Sequence, residues 1–430
     1  MHAPQKLPPR RVAADRVTYE FIIRGVRFGC GVLCGSQVVA RWPNLRLGER
    51  LAQSTGEERQ MDAKQFVHDT LSEIGVTVGG DSPADIHIHD ERLYKRIIRD
   101  RELGLGETYQ EGWWTANQLD EFLSVAQETN LQDVVKPSFA LLKLAFASRF
   151  SNRQDVANAK KNASAHYDIG NDLFEQMLDK RMIYTCAYWR DADDLDSAQE
   201  AKLDLVCRKL KLEPGMRLLD IGCGWGGFAQ FAAERFGVDV TGISPAIEQV
   251  KVAREKTKGL PIRIEQVDYR EMAGEFDRIS SIGMMEAVGP QNLGTFFEKC
   301  GELLTPDGMM LHHTIGSNEW KTHTDPWFDK YIFPGGVLPS LGQIARATEN
   351  VWSIEDVHNF GPDYDRTLME WHRRIGERWD NIPHYDEHFR RTWEYYLLGS
   401  AAGFRVRAMQ LFQIVFTKAK QRHPVYDAVR

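Results

Sequence analysis

The 430-residue chain has no uninterrupted apolar run long enough to cross a bilayer. Residues 17–40 come nearest, but Glu20, Arg24, Arg27 and several glycines break the run. A secretory signal is missing too, because Pro8, Pro9, Arg10 and Arg11 lead into a mixed segment without the charged, apolar, small-residue order. Cysteine is scarce: Cys30, Cys34, Cys186, Cys207, Cys223 and Cys300 show no paired metal-ligand spacing, which suits a reducing compartment. Cys30 and Cys34 have half of a zinc spacing, yet no second Cys or His pair follows nearby, so no metal site is expected. Internal repeats and low-complexity tracts are absent as well. The expectation is a soluble, cytoplasmic protein.

What is present is enough apolar side chain, 42% with 10% aromatic, to build a real core. The length exceeds that of a single core, so two domains and an appendage are expected. A net charge of -7 hides an asymmetry, since residues 1–60 carry ten Lys/Arg against five Asp/Glu. Six basic residues and one acid, Asp155, lie between Lys136 and Lys161, interleaved with Phe139, Leu141, Leu142, Leu144, Phe146 and Phe150. Such a segment reads equally as a surface for anionic lipid headgroups or a partner protein and as a solvated helix face over a core. The acidic remainder argues against a nucleic-acid partner.

Three blocks follow along the chain. Residues 1–60 are Arg-, Gly- and Pro-rich and read as a poorly ordered basic extension. Met61 opens a helical pattern and is a candidate for the true start; residues 61–150 form a small, mostly helical unit and linker. Residues 151–430 alternate strand and helix, the pattern of a doubly wound α/β sheet with helices on both faces. Its strands are expected at 216–222, 237–244, 262–268, from 276, at 309–317 and near 406–419.

Gly222, Gly224 and Gly227 fit G-x-G-x-x-G between a strand and a helix, which alone suggests a dinucleotide loop. The second strand, however, ends Thr241-Gly242-Ile243-Ser244, without the acid that holds a dinucleotide ribose. Asp220 just before the first glycine would repel a pyrophosphate and suits a cationic, phosphate-free ligand. S-adenosylmethionine is such a ligand.

"LLDIGCGWGG" resembles motif I of the class I S-adenosylmethionine methyltransferases. Through "LGLGETYQEGWW", "HYDIGNDLF", "YTCAYW", "GMMEAVGP", "HTIGS", "DPWFDKYIFPGG" and "FGPDYD", the chain from Met61 onward is similar to the cyclopropane fatty acid synthases and their mycolic acid relatives. The resemblance implies a class I, Rossmann-like methyltransferase sheet and a cofactor site of Tyr184, Asp220, Gly222, Gly224, Ser244, Gln249 and Asp268. Ser244 and Gln249 would serve the ribose and Asp268 the adenine amino group; a plain exposed helix residue and a helix cap are the bland alternatives for Gln249 and Asp268.

An isolated alkene has no proton to remove, so its π bond must attack the sulfonium methyl directly and leave a carbocation. Aromatic faces stabilise such a cation, water must be excluded, and a base must take a proton as the ring closes. The resemblance implies a bound bicarbonate as that base, held by Cys186, Glu286, His313, the backbone of Ile315, and Tyr364. "YTCAYW" is then a flap over the cofactor, and Cys186 a donor to the anion rather than a nucleophile. One departure is Ala287, where the family commonly has histidine after the glutamate. Methylation without ring closure, N-methylation of a small amine, and lipid or cofactor binding without catalysis are the rival readings. The helical unit, with Trp113, Trp114 and the basic link at 136–161, would engage the bilayer and offer unsaturated phospholipid chains at the inner membrane face. A homodimer stays open.

Overall fold

The computed structural model describes residues 56–129 and 169–430. The basic link at 136–161 and nearly all of the extension at 1–60 lie outside the described residues. The described residues belong to one compact unit. Twelve helices are present among the described residues.

The first elements are α1 (Gly56–Glu73), β1 (Ile86–Ile88), α2 (Arg92–Gln110), β2 (Trp114–Ala116) and α3 (Leu119–Glu128). Helix α1 begins five residues before Met61, in a run of helix-forming Glu, Arg and Gln. The alternating "DIHIH" becomes β1, which pairs antiparallel with β2. Arg101, at φ 53 inside α2, breaks the helix geometry there.

Next come α4 (Asn171–Met177), α5 (Leu195–Lys209), β3 (Arg217–Ile221), α6 (Gly227–Phe236), β4 (Asp239–Ile243), α7 (Ile247–Lys256), β5 (Ile262–Glu265) and β6 (Phe276–Ile282). They are followed by α8 (Leu293–Leu303), β7 (Leu304–Ser317), α9 (Pro326–Tyr331), α10 (Leu341–Thr348), β8 (Trp352–Asn359), α11 (Pro362–Gly376), α12 (Glu387–Arg405) and β9 (Met409–Lys418). The seven-stranded sheet has the order β5-β4-β3-β6-β7-β9-β8. Strands β3 to β7 run parallel, and β9 inserts antiparallel between β7 and β8. Strand order reverses between β3 and β6, so a ligand crevice opens at their C-terminal ends.

Two cores flank the sheet. Leu219, Ile279, Met310, Phe296 and Phe297 belong to one, and Leu218, Leu311, Val415 and Phe228 to the other. A third cluster joins the first helices to α4, α9, α11 and α12 through Trp114, Phe122, Phe174, Trp327, Trp371 and Trp393. Polar ties reinforce it: Gln110 Nε2 donates to Thr392 Oγ1 at 2.6 Å, and Arg391 donates to the carbonyls of Tyr109 and Trp114 at 2.6 and 3.0 Å. Buried Glu107 accepts from Lys330 at 2.6 Å and Tyr331 at 2.9 Å and also pairs with Arg96, which locks α9 onto α2. "LGLGETYQEGWW" is therefore a packing motif; a side chain at Gly106 would run into the indole of Trp327.

The bilayer role expected of Trp114 is ruled out by its place in this core, where it is fully buried with its ring edge-on to Tyr109 and Phe122. Trp113 is half-buried beneath the Arg92 guanidinium, 4.5 Å from its ring centre. Consecutive residues of a strand face opposite ways, and the pattern alone left open which face was wet. Trp114→Ala is expected to cost ~3–5 kcal/mol, and Trp113→Ala about 1 kcal/mol, in urea unfolding of the whole chain.

Candidate active site

At the crevice, β3 runs into a loop whose Gly222, Gly224 and Gly226 all have positive φ, at 84°, 53° and 82°. Only glycine takes this backbone without strain, and it turns the chain sharply into α6. A Cβ at Gly222 would lie 2.9 Å from that of Met284, whereas the space above Gly224 is open. Gly227 serves packing instead: a side chain there would meet the Arg181 carbonyl and Ile183. This loop is a cradle in which a ligand can approach bare backbone.

A cavity of about 540 Å³ opens beside it. Its lining combines Gly222, Asp268, Met284, Glu286, Ala287 and Ile315 with Leu71, Ile98, Phe122 and Leu123 of the first helices. Tyr184, Tyr364, Tyr395, Tyr396, Phe328 and Phe404 line it as well. The ring of Tyr364 stacks on Phe404 at 4.6 Å, and the Tyr184 and Tyr396 hydroxyls are 2.8 Å apart.

The segment from Tyr184 to Trp189 is a tethered wall, not a free flap. Ala187 N–H and Trp189 Nε1–H donate to Thr367 Oγ1 at 3.2 and 2.9 Å, and Trp189 N–H donates to Asp363 at 2.8 Å. From the other side Gln199 Nε2 donates to the Thr185 carbonyl at 2.8 Å, and Lys202 Nζ to Thr185 Oγ1 at 2.9 Å. Cys186 is fully buried, its thiol donates to the Ala187 carbonyl at 3.1 Å, and burial pushes its pKa well up. A thiolate nucleophile is thus disfavoured.

Glu286 lies in a 3-10 turn just past β6, where Ile315 N–H donates to its Oε1 at 2.7 Å. Its buried Oε2 has no partner among the described residues, and burial raises the pKa of the carboxyl. His313 faces Gln413 across the β7–β9 ladder, and Gln413 Nε2 lies 3.2 Å from its Nδ1. With Gln413 donating, Nδ1 is the acceptor and Nε2 carries the proton. Nε2 also has no partner among the described residues, and burial holds the imidazole neutral by lowering its pKa.

One bare acceptor and one bare donor match bicarbonate, which offers both a hydroxyl and anionic oxygens. Of the expected set, Glu286, Ile315 and Tyr364 line the cavity, whereas Cys186 and His313 are not among its lining residues. The Cys186 thiol and the Ile315 N–H already donate within the chain.

The cofactor set divides in the same way. Tyr184, Gly222 and Asp268 line the cavity. Asp268 caps the turn at Tyr269–Glu271 and takes the Arg270 guanidinium at 2.8 and 2.9 Å, the cap role weighed for it from the sequence. Gln249 is buried rather than exposed, and Ser244 Oγ donates to its Oε1 at 3.3 Å beyond the end of β4. Asp220 sits behind the loop, accepting from Ser280 Oγ at 2.9 Å.

Lys202 was not legible in the sequence as a site residue. It is fully buried on α5 in a stripe with Gln199, Val206 and Lys209. Burial lowers its pKa to about 8, opposed by Asp179, Cys186 and Asp220. The spacing 199, 202, 206, 209 marks one helix face, but lysine is ordinarily exposed, so spacing alone gave no reason to bury it. Among the described residues no group of three His, Cys, Asp or Glu is arranged to hold a metal.

A parallel sheet with one antiparallel strand inserted next to its edge, and a glycine cradle at its reversal point, defines a class I S-adenosylmethionine-dependent methyltransferase. The model of the mycolic acid cyclopropane synthetase family matches residues 154–414, and the chain belongs to that family. It is 45% identical over 355 residues to the cyclopropane-fatty-acyl-phospholipid synthase of Escherichia coli K12, covering 82% of this chain and 93% of that one. Tuberculostearic acid methyltransferase UfaA1 of Mycobacterium tuberculosis is 32% identical over 367 residues, 79% of this chain and 85% of that one. The mycolic acid cyclopropane synthase CmaA1 solved with SAH and CTAB aligns at a TM-score of 0.57 and 32% identity, over 60% of this chain and 97% of that one. Coclaurine N-methyltransferase, at a TM-score of 0.60 and 21% identity over 73% of this chain and 99% of its own, shares the fold.

Burial pushes the Asp220 pKa from 3.8 up to about 7, against the opposing pull of Ser280 and Lys202. A folded value above the ordinary one means its stabilising contribution is complete below pH 3.8 and is lost as pH rises to about 7. Asp220→Asn should therefore gain stability relative to the parent between pH 4 and 7, with a constant difference above that. Urea midpoints across that range check it; parallel curves would contradict the assignment.

Proposed function

We propose that the enzyme transfers a methylene from S-adenosylmethionine across the cis double bond of an unsaturated phospholipid acyl chain, forming a cyclopropane fatty acid. The observation that carries this is the cavity, which runs from Gly222 and Glu286 to the apolar faces of α1, α2 and α3. An acyl chain laid along it is dry, and its double bond is brought beside the glycine cradle. The helices of the 61–150 block act as the lipid-engaging unit in this reading.

S-adenosylmethionine supplies an electrophilic methyl. The chain's own contribution is electrostatic and steric. Rings of Tyr184, Tyr364 and Tyr396 stabilise positive charge that develops on the acyl chain, and the tethered wall keeps water from quenching it. A bicarbonate held by Glu286 Oε2 and His313 Nε2 would supply a base. Glu286 cannot itself be left bare beside a cation without risk of alkylation, and a hydrogen bond from the anion's hydroxyl would cover it. No helix among the described residues is long and apolar enough to cross a membrane, and we place the enzyme as a peripheral protein on the inner membrane face.

Methylation without ring closure is the second reading. Ala287 on the cavity wall and the name of the mycobacterial tuberculostearic acid relative favour it. Retained Glu286 and His313 and the higher identity to the phospholipid synthase favour the ring.

The test incubates purified protein with methyl-labelled S-adenosylmethionine and vesicles of unsaturated phospholipid, followed by mass spectrometry of the released esters. The expected product has gained one CH2 unit and lost alkene reactivity. A methyl-branched product would move the assignment to the second reading, and unlabelled lipid would sink both. Glu286→Gln is expected to lower kcat by about 10²-fold while leaving S-adenosylhomocysteine binding intact.

A further inference from the structure

We infer that the loop at 318–325, directly after β7, is the surface by which the cavity mouth docks on a phospholipid bilayer, with Trp320 at headgroup level and Lys321 toward the lipid phosphates. This rests on the acyl-chain reading of the cavity. Among the described residues five large apolar side chains are exposed: Trp320 at 59%, Phe333, Ile354, Val357 and Val425. Ile354 and Val357 belong to β8 at the edge of the sheet. Phe333 lines the cavity, and Trp320 stands next to Lys321 and three residues from His323, which line it too. A lone exposed apolar residue means little, but Phe333 is exposed and yet lines a greasy cavity, and Trp320 adjoins Lys321, which is exposed and lines it too, so both belong where the cavity meets solvent.

The chemistry of the rim suits a phosphodiester surface. Lys321 and His323, both exposed, and half-buried Arg101 line the cavity, and the Arg346 guanidinium lies 5.9 Å from the Trp320 ring. The facing acids are Glu319 on the loop, and Glu102 and Asp325, which also line the cavity. Tryptophan has an apolar body and a polar N–H, the combination that favours the bilayer interface. A lipid whose acyl chain enters the cavity must leave its headgroup at this rim.

The loop is also held ready. Lys321 N–H donates to Gln343 Oε1 at 3.2 Å, and Gln343 Nε2 donates back to the Lys321 carbonyl at 2.9 Å. Asn318 Nδ2 donates to the Arg407 carbonyl at 2.7 Å, and Glu319 N–H to Ser317 Oγ at 3.1 Å. Trp320 is thus exposed on a pinned backbone, which lowers the entropy lost on docking.

The experiment is cosedimentation of the full chain with vesicles of monounsaturated phosphatidylethanolamine and phosphatidylglycerol, comparing the parent with Trp320→Ser, Lys321→Glu and, on the far sheet edge, Ile354→Ser. S-adenosylhomocysteine affinity serves as the control for folding. Trp320→Ser and Lys321→Glu should each lower vesicle partitioning about fivefold, the second less so at high salt, and Ile354→Ser should leave it unchanged. Equal partitioning of all four proteins, or an equal loss in Ile354→Ser, overturns the docking surface. A parent that binds vesicles through Trp320 yet labels no lipid would leave this surface standing and overturn the catalytic reading.

Discussion

Burying one carboxylate with only half of its hydrogen bonds made is the constraint on which the rest of the structure depends. The Ile315 N–H donates to Glu286 Oε1, and the other carboxyl oxygen, Oε2, is buried without a partner among the described residues. Such an atom costs free energy unless a ligand donates to it. The arrangement is possible because the C-terminal ends of β6 and β7 lie side by side, so the turn after one reaches the backbone of the other. Topology places the glycine cradle on the neighbouring strand end, and Glu286 lines the same cavity as that cradle.

Dryness around that carboxylate is supplied from two directions. The segment Tyr184–Trp189 is bolted to α5 by Gln199 and Lys202 and to α11 by Asp363 and Thr367, which makes one side of the chamber rigid. The first helices form the opposite side and are held through α12 by Arg391, Thr392 and Glu394 and through α9 by Glu107. Buried polar ties of this kind fix orientation more than they add stability. The large aromatic cluster beneath them provides the cohesion.

Much of the sheet was legible because β3, β4 and the Met309–Ser317 part of β7 are largely apolar runs ended by glycine or by helix signals. Strand β8 was not foreseen. Its Trp352–Asn359 sequence includes Glu355, Asp356 and His358 among its apolar residues, as expected of a half-wet edge, and it carries a bulge between Ile354 and Asp356. The motif residues were found, but which of them meet the cavity was not, because facing is decided by packing. Cys186 points its thiol at its neighbour's carbonyl, and Asp220 turns toward Ser280 and Lys202. Gln413, which orients His313, has no sequence signal beyond its place in a strand; only register puts it opposite the histidine.

The central claim is that one acyl chain spans the distance from the first helices to the strand ends. Photo-crosslinking tests it most directly, using a phospholipid that carries a diazirine at successive positions along its acyl chain, with S-adenosylhomocysteine present. The account predicts adducts that move with diazirine position between Ile98, Phe122 or Leu123 and Met284, Val288 or Leu368, all of which line the cavity. Adducts confined to the protein surface, or to one end of the cavity whatever the diazirine position, would contradict it.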